Sequence, residues 1–468
     1  MSDNLPLSEA IATDVARPSA PARWLTLVTL CVAVLIAQVD TSVVNLAVRA
    51  IGEHFKASVD EMQWVVDSYN LVYAVLLLTG GLLADLYGRR RIFMTGAAVF
   101  TLASVLSAFA PTVVMLMCGR VMAGVGAALL LPASLAIIRV AWPDATERGK
   151  ALGVWAACNG LAFVIGPPVG GLLIGGPGWR SIFLLVVPFG LAALILAPMS
   201  VPESSDPHGR TFDLGGQTLG AAAIGGLVIA AIELQRLPVL ACTVLIGALL
   251  ASILFVRVEA KGRASSLVHL DMFKVQAFRG AIAATGGMTF GMYGVLFLLP
   301  LMWQNEGAFG PVGAGIALMP MALAFALLSP LSGALTARLG AGVMTSGGVF
   351  VIGCGLILIG LSAHTAPVSV AEIGLVCTGL GMGLATGPLM GTAVGAVPAA
   401  RSGSAAALVN VARMVGATLG VAVLGMVFAL AHGGPTGLRL AMFVGGAVQI
   451  MAAALAWRAS HPTRAAVS

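Results

Sequence analysis

The chain has 468 residues, of which 59% are hydrophobic and only 9% charged, against roughly 25% charged in a soluble domain. Too few polar side chains remain to cover a water-facing surface, which excludes a soluble enzyme or receptor domain. The net charge of +6 does not indicate nucleic acid, because Lys and Arg stand singly or in threes between apolar runs rather than in one patch.

Crossing the apolar core of a bilayer takes about 20 mostly apolar residues per helix. Residues 1–22 are polar, contain Pro18 and Pro21 and lack a hydrophobic core with a cleavage site, so they read as a tail and not a removable signal. Fourteen candidate spans follow, near 24–47, 62–84, 92–110, 112–139, 150–175, 180–200, 214–234, 238–257, 277–303, 311–335, 343–362, 369–394, 402–430 and 436–457. A tail at 459–468 closes the chain. With the amino terminus in the cytoplasm, eighteen Lys and Arg fall on the cytoplasmic side and five outside. That bias fixes the direction, with both termini cytoplasmic.

The chain repeats itself. Gly81-Leu-Leu-Ala-Asp-Leu-Tyr-Gly88 returns in degraded form as Gly333-Ala-Leu-Thr-Ala-Arg-Leu-Gly340, 252 residues later. Each copy follows the second span of a six-span block. The organisation expected is therefore an amino-terminal bundle at 23–200, a carboxyl-terminal bundle at 277–458, and a linker at 201–276 carrying an inserted helix pair at 214–257. Two six-helix halves with a site at their interface are an established transporter plan. The six cysteines each sit in a different apolar run without metal-ligand spacing, and the histidines form no cluster, so neither a metal site nor an intramembrane enzyme is read.

Four local sequences carry chemistry. Span one holds Asp40-Thr41-Ser42-Val43-Val44-Asn45-Leu46-Ala47. The loop after span two is Gly81-Leu82-Leu83-Ala84-Asp85-Leu86-Tyr87-Gly88-Arg89-Arg90-Arg91, whose glycines permit a tight turn. Span four carries Arg120 followed by Gly124, Gly126, Ala127 and Ala128. Span five carries Gly153, Ala162, Gly166-Pro167-Pro168 and Gly170-Gly171, where proline interrupts the hydrogen-bond ladder and the glycines flatten one helix face. Taken together these elements resemble the signature motifs of the major facilitator superfamily, and span one resembles its fourteen-span drug:proton antiporter branch, often called EmrB/QacA-like. Ala123 and Ala162 depart from that pattern, standing where a glutamine and a glycine are usual. The resemblance implies an all-α integral membrane protein with the major facilitator fold: fourteen helices as two six-helix bundles plus an inserted hairpin. It also implies a gate at Gly81, Asp85, Gly88, Arg89 and Arg90 that latches the cytoplasmic face, and a kink at Gly166, Pro167, Gly170 and Gly171 that seals the outer one. Topology signalling alone, or plain helix packing, are the competing readings of those two motifs.

Ionisable side chains inside the membrane are the most informative. An aspartate near the bilayer centre costs roughly 2.5–3.5 kcal/mol on insertion, so it persists with a partner or a task. Asp40 and Arg120 each lie about eight residues from the outer ends of their spans, at matching depth, and Asp67 falls near the same layer. Two carboxylates beside one guanidinium form a workable proton site; a static Asp–Arg tie, and an Asp67 that reaches back to the surface, are the alternatives. Candidate cavity residues are Tyr69, Asn70, Tyr73, Met288, Met292, Trp303, Asn410 and Arg413, while Glu233 and Glu306, near span ends, read as solvated. The function implied is a secondary active transporter of the cell inner membrane that exports small amphipathic or hydrophobic compounds, drugs or antibiotics among them, by alternating access. It would need no cofactor and be driven by the proton gradient. A dedicated exporter or permease of one metabolite is the other transport reading, and the sequence leaves a periplasmic adaptor protein open as a partner.

Overall fold

The computed structural model describes residues 20–206, 213–234, 236–261, 268, 270–363, 368–398 and 401–460. Among these the chain is helical, without strands. The helices are α1 (Ala20–Phe55), α2 (Val59–Tyr87), α3 (Arg89–Ala108), α4 (Val113–Ala141), α5 (Ala145–Gly175), α6 (Arg180–Ser200), α7 (Leu214–Glu233) and α8 (Pro238–Glu259). They continue with α9 (Gln276–Asn305), α10 (Pro311–Ala317), α11 (Met319–Leu328), α12 (Ser332–Leu339), α13 (Ala341–Ser362), α14 (Val368–Gly395), α15 (Ser402–Leu430) and α16 (Gly434–Ser460). Among the described residues thirteen segments are long and apolar enough to cross a membrane, with α10 to α12 counted as one; α5, with its apolar stretch Val164–Gly175, occupies the remaining expected position. The expected tails lie almost wholly outside the described residues.

Local chemistry sets the ends. Ser58 and Glu61 form a reciprocal capping box at the start of α2, with Glu61 N donating to Ser58 Oγ and Ser58 N to Glu61 Oε2. Thr112 and Asp213 cap α4 and α7 by accepting from Met115 N and Gly216 N. Gly88 and Gly340 separate α2 from α3 and α12 from α13 with φ of 108° and 86°, a backbone that side-chain-bearing residues rarely adopt. The sequence repeat is thus also a conformational repeat. Gly81 lies within α2 beside Pro132 and makes no turn; the turn needs Gly88 alone, and the neighbouring Gly80 packs against the Ala128 carbonyl of α4.

Two expectations about the spans change. The first helix runs to Phe55 instead of ending at 47, because the amphipathic stretch after Ala47 continues the helix beyond its apolar run. The tenth span is broken: α10, α11 and α12 are separated at Leu318 and at a short 3-10 turn, Ser329–Leu331. Pro320 and Pro330 at those points lack the donor that would continue the ladder. By contrast, α5 runs uninterrupted through Pro167 and Pro168.

The first six helices pack among themselves, chiefly α3 on α4, α2 on α4, α1 on α5 and α3 on α6. The same holds for α13 on α14 and α16, and α9 on α15 and α16. Between the two sets, α2 meets α15, α5 meets α10 and α11, and α1 meets α9. Helix α7 packs on α8, α2 and α15.

Candidate functional site

Asp40 of α1 and Arg120 of α4 are brought together. Arg120 Nη1 donates to Asp40 Oδ2 at 2.6 Å, with the two residues 1% and 3% exposed. The guanidinium is held from two further sides: Nε donates to the Val65 carbonyl at 3.1 Å, and its carbon lies 4.6 Å from the Tyr69 ring centroid. Tyr69 in turn donates to the Ala37 carbonyl of α1. Three helices therefore fix one ion pair. Asp40 is about 22 Å along α1 from the Phe55 end at ~1.5 Å per residue, because the helix extends past the span end expected at 47.

Asp67 does not join this pair. It is wholly buried, and neither carboxylate oxygen has a hydrogen-bond partner. It therefore neither shares Arg120 nor reaches the surface. It lies one turn from Gln63 on the same face of α2, and Gln63 Nε2 donates to the Val421 and Ala422 carbonyls of α15. Ser68 Oγ and both side-chain polar atoms of Asn70 are likewise buried without partners, so a polar layer runs through α2 beside the α15 contact. Such a layer is costly unless it takes up a proton or another ligand.

Of the expected cavity residues, Tyr69, Asn70, Tyr73, Met288, Met292 and Trp303 are buried in packing. Met288 interacts with Thr386, and Trp303 stacks edge-on against Phe309. Asn410 and Arg413 keep partial exposure. Asn410 bonds its own helix at Ala406, and Arg413 neighbours Tyr73 of α2 and Tyr293 of α9. Tyr293 has no charge or motif to single it out in sequence.

Helix α5 packs closely against α1 and α10. Side chains at Gly166 or Gly170 would overlap Ser42 and Val43 of α1, one at Gly171 would meet Pro311 of α10, and one at Gly315 of α10 would overlap the Pro167 carbonyl. Gln304 of α9 donates to the Leu46 carbonyl of α1 at 3.3 Å. All these contacts, with that of Gln63, lie away from the end carrying Arg89, Arg90 and Arg91. The halves are joined at the opposite end.

At the arginine-rich end, Asp85 Oδ1 accepts from Arg89 Nε and Nη2 at 3.0 and 2.8 Å. The loop is tied to the segment after α6: Arg89 N donates to the Ser204 carbonyl, Asp206 N to the Asp85 carbonyl, and Arg90 N and Arg91 N to Glu203 at 3.0 and 3.2 Å. Glu203, which the sequence shows only as one acid in a short linker, thus caps α3 from outside the helix. Glu233, read as solvated, accepts from Trp64 Nε1 at 3.0 Å; the indole supplies a partner that sequence spacing could not show.

Comparison with known proteins matches this architecture. A family model described as Major Facilitator Superfamily matches residues 30–421. Multidrug resistance protein Stp of Mycobacterium tuberculosis is 36% identical over 78% of this chain and 68% of its own. Multidrug efflux pump LfrA of Mycolicibacterium smegmatis is 32% identical over 81% and 76%. The crystal structure of a D-xylose-proton symporter aligns over 93% of this chain and 97% of that one with a TM-score of 0.68 at 18% identity, which shows the fold. The chain is a multi-pass membrane transporter and not an enzyme, and it belongs to the Major Facilitator Superfamily.

Proposed function

We propose that this transporter is a proton-driven exporter of small amphipathic or hydrophobic compounds, working by alternating access in the cytoplasmic membrane. The observation that carries the reading is the buried Asp40–Arg120 pair, set in the half of the chain whose α5 seals the interface. Relatives named for multidrug resistance and efflux support the substrate class. The positive-inside bias supports a cytoplasmic arginine-rich end with both termini on that side. On that orientation the interface is closed outside and the structure is the inward-facing state.

In the cycle, the segments 23–200 and 277–458 rock about the interface, with 201–276 between them. Asp40 alternates between its bond to Arg120 and a proton, since an acid in a low-dielectric site is sustained only when paired or neutral. Asp67 takes its proton from outside when the α2–α15 contact opens and keeps it while that contact is closed. Asn410 and Arg413, with Tyr73 and Tyr293, form the floor against which cargo rests. The loop at Gly81, Asp85, Gly88, Arg89 and Arg90 exchanges its hold on 203–206 for the other half when the cytoplasmic face shuts.

Inverted membrane vesicles given an acid-inside gradient test the proposal. A fluorescent lipophilic cation should accumulate in them, and a protonophore should abolish the accumulation. Accumulation that survives collapse of the proton gradient contradicts it.

A further inference from the structure

Helix α7 touches both halves of the molecule, and its two contacts differ in kind. Toward α2 hydrogen bonds stand near both ends of the helix, with Trp64 and Leu71 packed on it between them. Gln217 Nε2 donates to the Val75 carbonyl at 2.5 Å, Gln217 Oε1 accepts from Thr79, and Glu233 at the far end of α7 accepts from Trp64. Toward α15 the described contact is apolar: Val228 and Ile232, both buried, form one cluster with Ala422, ringed by Trp64, Leu71 and Leu419. Directional bonds at both ends fix α7 on α2, while an apolar surface without directional bonds can slide or part at modest cost. The cluster also lies over the line where α2 meets α15. Helix α8 packs on α7 and presents large exposed apolar side chains such as Val239, Ile246 and Leu250. At the other seam between the halves α5 meets α10 and α11, and α11 carries Leu327, which is 73% exposed.

We infer that α7 moves as part of the amino-terminal half and walls the α2–α15 seam off from lipid, so that bilayer-dissolved substrate reaches the centre only through the α5–α11 seam. The hairpin is then a fixed side wall that makes lateral access one-sided. The inference rests on the alternating-access reading, but its test does not require transport to be observed.

Two cysteine pairs are placed in a chain whose native cysteines are replaced: Thr79→Cys with Gln217→Cys, joining α7 to α2, and Val228→Cys with Ala422→Cys, joining α7 to α15. Cross-linking in native membranes should be complete for the first pair with and without an imposed proton gradient, and should fall at least threefold for the second when the outer face is opened. A lipid-soluble maleimide should modify Leu327→Cys and spare Leu419→Cys in both conditions. Gradient-dependent linking of the α2 pair, gradient-independent linking of the α15 pair, or equal modification of Leu419→Cys and Leu327→Cys overturns the inference. Where export is measurable, the first cross-link leaves it intact and the second stops it until a thiol reductant is added. Failure of export in every reduced variant counts against the transport reading and leaves the cross-linking pattern to decide the placement of α7.

Discussion

Asp40 and Arg120 stabilise one another only as a pair. Removing one partner of a buried ion pair typically costs about 3–5 kcal/mol, whereas replacing both by apolar groups is often neutral. Arg120→Leu should therefore lower the unfolding temperature in detergent well below that of the parent, and the double replacement Asp40→Leu with Arg120→Leu should regain most of the loss while remaining inactive. A double variant no more stable than the single one would show that the pair has no mutual dependence. Asp67→Asn, which removes a titratable group without removing volume, should leave stability unchanged and lower the number of protons moved per substrate. Unchanged stoichiometry would take Asp67 out of the coupling. The paired charges were legible in sequence because ionisable residues inside apolar runs are rare. Gln63, Gln304 and Tyr293 were not: an uncharged polar residue in a span looks like filler until the carbonyl or ring it meets is known.

At the scale of elements, α5 shows what sequence can and cannot convey. Its glycines and prolines marked a helix that packs closely, but their partners, Ser42 and Val43 on one side and α10 on the other, emerge only from the fold. Proline itself was ambiguous. Pro167 and Pro168 sit inside an unbroken helix, while Pro320 and Pro330 divide the tenth span. Gly315→Val should force α10 off the Pro167 carbonyl and part the outer seal, read as faster passive leak of substrate and greater labelling of outer-face cysteines. A tight, unlabelled variant would contradict the seal. At the other end, Glu203→Ala removes the external cap of α3 and should cost about 1 kcal/mol, measured as a lowered unfolding temperature.

For the whole molecule, the repeat and the helix count made the two-half plan visible in sequence, while the state of the interface was not. Closure at one end is written in Gln63 and Gln304 reaching carbonyls of the other half. Two such side chains, at ~1 kcal/mol each, bias the closed state by roughly thirtyfold. Gln63→Leu with Gln304→Leu should shift the population toward outward opening by about that factor, seen as increased modification of an outer cysteine reporter; no increase would locate the latch elsewhere. The most direct test of the central claim is gradient-driven export by Asp40→Asn in inverted vesicles, measured beside downhill substrate exchange in the same vesicles. Uphill export should vanish while downhill exchange persists, because the amide cannot carry a proton yet preserves the packing around Arg120. Uphill export at the parent's rate would contradict the assignment of Asp40 as the coupling carboxylate.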